Sequence, residues 1–213
     1  MFRVLTVARE YGSGGSCIAR RVAEELRWNL LDQELISDAA LAAHVDAKTV
    51  AKYDEHVDSW WHCFNRDGLR AASLAAGAIL EDAQFFDAET TAAFTHRVIS
   101  EAAATGNCVI VGRGAECVLQ GREDVLHVFI YGPLEARISR VRNRIHSSQD
   151  VEELIRLTDR ERASYIRTFY GCDWKDPHLY HMMISSQIGT ETAAWMIVNA
   201  VEQSAVRDGV GCQ

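Results

Sequence analysis

The chain has 213 residues, 48% of them hydrophobic, and a formal net charge of −8. That is enough length and apolar content for one domain with a sizeable core, and the acidic balance speaks against a general nucleic-acid binder, which carries a basic face. No apolar run approaches the roughly 20 residues that a membrane span requires, so neither nucleic acid nor membrane is expected as a partner.

The first apolar run, Val4 to Ala8, reads as a buried strand and stops at Gly12-Ser13-Gly14-Gly15. Ile18, Ala19, Val22, Ala23 and Leu26 follow at helical spacing. Strand, glycine turn and helix point backbone N–H groups and the positive end of a helix dipole at a phosphate. Trp28 to Asp32 is a second short strand ending in an acid. From Glu34 to about Asp82 the chain is alanine-rich and helical in pattern, with no convincing strand, and Trp60-Trp61 fits an anchor between helices.

A long helix is predicted from Ala88 to Ala104, stopped by Gly106-Asn107. Cys108 to Val111 is a buried strand ending in Gly112-Arg113-Gly114, and Val125 to Tyr131 another, ending in Gly132-Pro133. Pro133 suits the first turn of the next helix, which carries Arg137, Arg140, Arg142 and Arg144. A charged helix from Asp150 to Thr168, a strand from Tyr180 to Ser185 and a helix from Thr190 to Val206 complete the order. About five strands, mostly continuous apolar runs alternating with helices, predict a parallel sheet covered on both faces. Ligands bind such sheets beyond the carboxyl ends of the strands, which is where the glycines and polar residues fall.

No signal peptide is expected ahead of the first strand. None of the six cysteines forms a CxxC pair, so reduced thiols and a cytoplasmic location are expected. The eight histidines lack zinc spacing, and no metal site is expected from them.

The glycine turn admits two readings. As a dinucleotide turn, Gly12-x-Gly14 would be followed by Cys17 in the third glycine position, with Asp32 after the second strand. As a P-loop, GxxxxGK[ST], the pattern puts Arg9 and Gly14 in its glycine positions, Gly15 in the lysine position and Ser16 in the hydroxyl position.

The segments AREYGSGGSCIARRVAEEL, LLDQELI, CVIVGRGAECVL, VFIYGPLEARISRV, TDRERASYI and DWKDPHLYHMMISS, in that order, resemble the cytidylate kinase-like proteins of the P-loop nucleoside monophosphate kinase group. The resemblance covers nearly the whole chain. It implies an α/β, P-loop kinase-like three-layer sandwich: an about five-stranded parallel sheet with a helical acceptor-binding insertion and an arginine-bearing lid. On that basis residues 1–213 form a single domain, with the insertion at about 33–85 and the lid at about 137–175. It also implies transfer of the ATP γ-phosphoryl group to a nucleoside monophosphate, most readily CMP or dCMP, with ATP and Mg2+ as cofactors.

The resemblance assigns roles residue by residue. Gly12, Ser13, Gly14, Gly15 and Ser16, with Arg9, hold the donor phosphates, and Ser16 ligates Mg2+. Asp32 and Arg113 bind the acceptor. Arg137, Arg140, Asp159 and Arg162 are the catalytic set, arginine being suited by its planar, permanently charged fork. Plainer readings stand beside these: Asp32 as a helix cap, and the charged residues of the two lid helices as solvated ion pairs. The chain departs from true cytidylate kinases in having Gly15 for the P-loop lysine and Gly114 for an aspartate. A non-catalytic nucleotide-binding or regulatory protein on a degenerate P-loop kinase scaffold is therefore the alternative, and an NAD(P)-binding Rossmann protein the third reading. Nucleotides are the expected partners, with a homodimer left open.

Overall fold

The structure is a computed structural model that describes residues 1–32, 88–145 and 150–207. The expected insertion at 33–85, including Trp60-Trp61, lies outside the described residues. In chain order the elements are β1 (Val4–Arg9), α1 (Gly15–Leu26), β2 (Asn29–Asp32), α2 (Ala88–Thr105), β3 (Cys108–Val111), α3 (Ala115–Val118), β4 (Val125–Tyr131), α4 (Leu134–Arg144), α5 (Val151–Tyr170), β5 (Met182–Ser185) and α6 (Thr190–Arg207). Short 3-10 turns at Pro177–Leu179 and Ser186–Ile188 flank β5.

The strands follow the predicted runs because each is continuously apolar. β1 and β3 are buried at every position, and β4 at all but Tyr131. The sheet has five strands in the order β2-β3-β1-β4-β5. β1 runs parallel to β3, with Val4 opposite Cys108, and parallel to β4, with Val4 opposite Val125. β4 runs parallel to β5, with Val128 opposite Met182. In a dinucleotide-binding fold the second strand lies beside the first. Here β3 does, and the Rossmann reading falls on that order.

The strand pleat sorts the core into two layers. Leu5 and Val7 of β1 and Leu126, Val128 and Ile130 of β4 pack with Ile18, Ala19 and Val22 of α1 and Ile197 and Val201 of α6. Ala8 and Phe129 face the other way, onto Ile166 of α5, Trp174, Leu179 and Tyr180. A third cluster, Val141, Val151 and Ile155, joins α4 to α5, with Tyr11 packed against it. Helices on both faces of the sheet make the expected three-layer α/β sandwich around a five-stranded parallel sheet.

Local chemistry sets the ends. Gly106 and Asn107, both at positive φ, stop α2. Asp150 caps α5 by accepting from the N–H groups of Glu152 and Glu153 at 3.0 and 3.3 Å. Pro133 stands one residue before α4, at its cap, and not inside the first turn. β5 starts two residues later than its apolar run suggests. The Asp176 side chain caps the turn before it, and Tyr180 Oη donates to the Trp174 carbonyl at 2.7 Å, which holds Tyr180 out of the strand. The four residues of α3 are too few for periodicity to reveal.

The chain divides into two compact units, Met1–Leu30 with Thr95–Gln213, and Leu31–Phe94. The second is described only at the end of β2 and the start of α2. No helix among the described residues is long and apolar enough to cross a membrane. Cys17, Cys108, Cys117 and Cys172 are free thiols.

Candidate active site

The site grows from the carboxyl end of β1. The chain leaves the sheet at Arg9, turns through Gly12 at φ +76° and Gly14 at φ +88°, and enters α1 at Gly15. Gly14 is the residue before the helix and brings no capping side chain. Ser13 is fully buried inside the turn, where its N–H donates to the Glu10 carbonyl at 3.1 Å and its Oγ accepts from the Gly15 N–H at 3.3 Å. Gly12 must be glycine on two counts: its positive φ, and a Cβ that would lie 2.7 Å from Val141 Cγ2 of α4.

Helices α4 and α5 clasp the outer side of this loop. Asp159 Oδ1 accepts from the Tyr11 N–H at 2.8 Å, and Arg137 Nε donates to the Tyr11 carbonyl at 2.8 Å. Arg140 donates to the Gly12 carbonyl at 2.6 Å, and Arg162 to the Arg9 carbonyl at 2.7 Å. Arg144 donates to Tyr11 Oη at 3.0 Å, and the Arg144 and Arg162 guanidinium groups lie over the Tyr11 ring at 5.4 and 5.6 Å. The four residues expected as a catalytic set are thus brought to one loop, although 22 positions separate Arg137 from Asp159.

They are not equivalent there. Arg137 is buried and ion-paired with Asp159 and with Glu10, the latter at 3.2 Å. Its guanidinium is engaged on three sides by the protein itself. Arg140 is exposed, and its Cδ, Nε and Cζ lie 3.7–3.8 Å from where a Gly14 Cβ would stand. It lies directly across the glycine turn.

Glu10 ties the loop to two further places. Its Oε2 accepts from the Gly132 N–H at 3.1 Å, beyond β4, and its Oε1 lies 2.5 Å from Lys175 Nζ. Neither Glu10 nor Lys175 was assigned a role from sequence. Both stand in recognisable segments, REYGSGG and DWKDPHLY, but nothing in their spacing reveals a partner 165 positions away.

On the neighbouring strand, β3 ends in three successive residues at positive φ, Gly112, Arg113 and Gly114. Arg113 at φ +60° is unusual for a residue with a side chain. That side chain is exposed. Behind it, Glu116 is fully buried, and burial pushes its carboxyl up to about 7, with the Arg9 charge pulling the other way. Tyr170 packs on Gly114, and burial pushes its phenol up too. A lone acid in the apolar segment AECVL was the available signal for Glu116. Asp32 is buried at the end of β2, in the other compact unit.

The residues suit a nucleotide's phosphates. A glycine cradle in which Cβ atoms would clash and a 12-residue helix starting behind it offer backbone N–H groups and a dipole. Arg140 adds a full charge. For a metal, Ser16 is the hydroxyl at the start of α1, and among the described residues no group of three His, Cys, Asp or Glu could hold an ion.

The family model described as the cytidylate kinase-like family matches residues 4–188. The chain belongs to the cytidylate kinase-like family. Among relatives named cytidylate kinase, the protein of Methanosarcina mazei is 34% identical over 83 residues, 38% of this chain and 46% of that one. That of Methanosarcina acetivorans is 31% identical over 81 residues, 37% and 45% of the two chains. The matched stretch thus spans just under half the length of these relatives. A crystal structure of an uncharacterized protein from Eubacterium ventriosum is similar in fold, with a TM-score of 0.63 at 20% identity, covering 93% of this chain and 98% of that one. Family membership accounts for the order of segments from the glycine turn of β1 to the 3-10 turn after β5.

Proposed function

We propose that this chain transfers the γ-phosphoryl group of ATP to a nucleoside monophosphate, with CMP and dCMP as the first acceptors to try. The observation that carries the reading is the Arg140 guanidinium lying across a glycine turn that opens a helix, in a chain of the cytidylate kinase-like family. Phosphoryl transfer asks mainly for positioning and charge neutralisation, and a loop lined with N–H groups beside fixed arginines supplies both.

In this reading Gly12 to Ser16 hold the donor's phosphates through the backbone, and Ser16 ligates the Mg2+ that arrives with them. The metal neutralises phosphate charge as it develops. Arg140 reaches the same phosphates from α4. Arg113, held in a left-handed conformation between two glycines, binds the acceptor's phosphate, and Asp32 belongs to the acceptor side. Arg137, Asp159 and Arg162 act as positioning residues, because their polar groups are bound to the loop's backbone. The lid is residues 137–175, which include most of α4 and all of α5.

A second reading, a nucleotide-binding or regulatory protein without transfer, is favoured by Gly15 in the lysine position. The two are separated by incubating the protein with ATP, Mg2+ and a panel of nucleoside monophosphates. ADP formed above a heat-killed control, with one monophosphate preferred, is the expected result. A thermal shift with ATP, none with any monophosphate, and no ADP would establish the second reading.

A further inference from the structure

Gly15 stands where the P-loop pattern has its lysine, and Arg9 where the pattern has its first glycine. In space the two positions are one. A Cβ built on Gly15 would lie 2.6 Å from Arg9 Cβ and 3.0 Å from Arg9 Cγ, and 3.3 Å from Ile130 Cβ. Real Cβ atoms essentially never come that close to another side-chain stem. The stem of Arg9 therefore fills the volume from which a lysine at position 15 would start. With Arg9 in place, a side chain at position 15 would force one of the two stems to shift.

The rest of the Arg9 side chain reaches the turn after β3. Its Nη1 sits where a Cβ on Gly112 would be, so Gly112 too is kept clear for it. The residue is 8% exposed. Its charge is felt by Glu116, whose carboxyl it lowers against the effect of burial. Its carbonyl is held by Arg162. The guanidinium thus lies against Gly112, in the turn after β3, the strand that pairs with β1.

We propose that Arg9 and Gly15 are an exchanged pair: the phosphate-binding cation that the P-loop pattern places at its lysine position is carried here by the first position, and Gly15 is glycine to admit it. The proposal rests on reading the glycine turn as the donor-phosphate loop. Its ligand class is the phosphoryl group between donor and acceptor. An arginine in that place brings a planar fork and a charge fixed by burial, where a lysine brings a mobile point charge. Two substitutions, Arg9→Gly and Gly15→Lys, turn REYGSGGS into GEYGSGKS, a full match to the pattern.

The test is a double-variant cycle on the full chain, read by urea unfolding without ligand, by ATP-Mg2+ affinity and by ADP formation. Gly15→Ala adds only the clashing carbon. It is expected to lower the unfolding midpoint in the parent and to cost much less beside Arg9→Gly, where only the 3.3 Å approach to Ile130 Cβ remains. Arg9→Met keeps the stem and removes the charge, so it is expected to keep the Gly15→Ala penalty while weakening ATP binding by at least about tenfold. Arg9→Gly with Gly15→Lys is expected to recover most of the ATP affinity that Arg9→Gly alone loses. An equal Gly15→Ala penalty in both backgrounds, or a paired variant no better than Arg9→Gly alone, overturns the exchange. A parent protein that neither binds ATP nor forms ADP overturns the phosphotransfer reading and takes the exchanged charge with it. An additive cycle in a parent that does bind ATP overturns the exchange alone.

Discussion

Arg140 and Arg137 sit one helical turn apart on α4, and their surroundings give them different work. Arg140 spends one hydrogen bond on the Gly12 carbonyl and leaves its fork in the open above Gly14. Arg140→Ala is expected to weaken ATP binding at least about tenfold, since a charge-assisted phosphate contact is worth about 1.5–3 kcal/mol, with little change in the unfolding midpoint. Isothermal titration beside a urea melt checks both halves. Arg113 carries strain, because a left-handed conformation costs a non-glycine residue on the order of 1–2 kcal/mol. Arg113→Gly is expected to lose no thermal stability while the affinity for the acceptor monophosphate falls at least about tenfold. Equal loss of stability and affinity would make Arg113 a structural residue. Both arginines stood out in sequence through their neighbours, a glycine pair in one case and a helix start in the other. The sequence could not rank them against Arg137, because burial is a property of the packed pair α4–α5.

At the scale of elements, the loop after β1 is held in place by two helices that begin more than 120 residues later. Glu10, Tyr11, Arg137, Asp159 and Lys175 form the clasp. Removing one partner from a buried ion pair leaves the others desolvated and costs about 3–5 kcal/mol. Arg137→Met is expected to lower stability by that order in urea unfolding, and to raise the KM for ATP more than it lowers kcat. A variant with unchanged stability and a collapsed kcat would place Arg137 on the reacting phosphate instead. The strands and helices themselves were legible, because continuous apolar runs and i, i+3, i+4 spacing are local. The clasp was not, since Glu10 and Lys175 meet only when the α5 and Trp174 segments fold back across the sheet.

For the whole molecule, two buried titratable groups oppose each other. His127 of β4 is buried opposite Thr6 of β1, with Thr6 Oγ1 2.7 Å from its Nδ1 and His181 stacked on it at 5.3 Å. Burial first, then the His181 charge, lowers its pKa from 6.5 to about 4. Unfolding therefore takes up a proton between those values, and stability falls as pH drops through the window. Glu116 goes the other way. Its carboxyl is raised from 4.5 to about 7, so the folded state holds the extra proton and stability falls as pH rises through that window. Each effect is on the order of 3 kcal/mol across its range, and between pH 5 and 6.5 they largely cancel. Glu116→Gln removes one of them. Its unfolding free energy is expected to drop as pH falls from 6.5 to 5, where the parent's stays nearly level. Parallel profiles would mean that the Glu116 carboxyl does not titrate as its burial requires.

The sequence by itself determined the five strands, the longer described helices, their alternation and the glycine turn, because strand, helix and turn formation depend on neighbours along the chain. It also set the family, through six segments in order. Tertiary structure alone decided the strand order that rules out a dinucleotide fold, the division of α4's arginines into buried and exposed, and the contact of Arg9 with Gly15. Those depend on which surfaces meet across the sheet. The missing lysine is the clearest case. In sequence it is an absence at one position, and in space that position is already filled by the stem of Arg9.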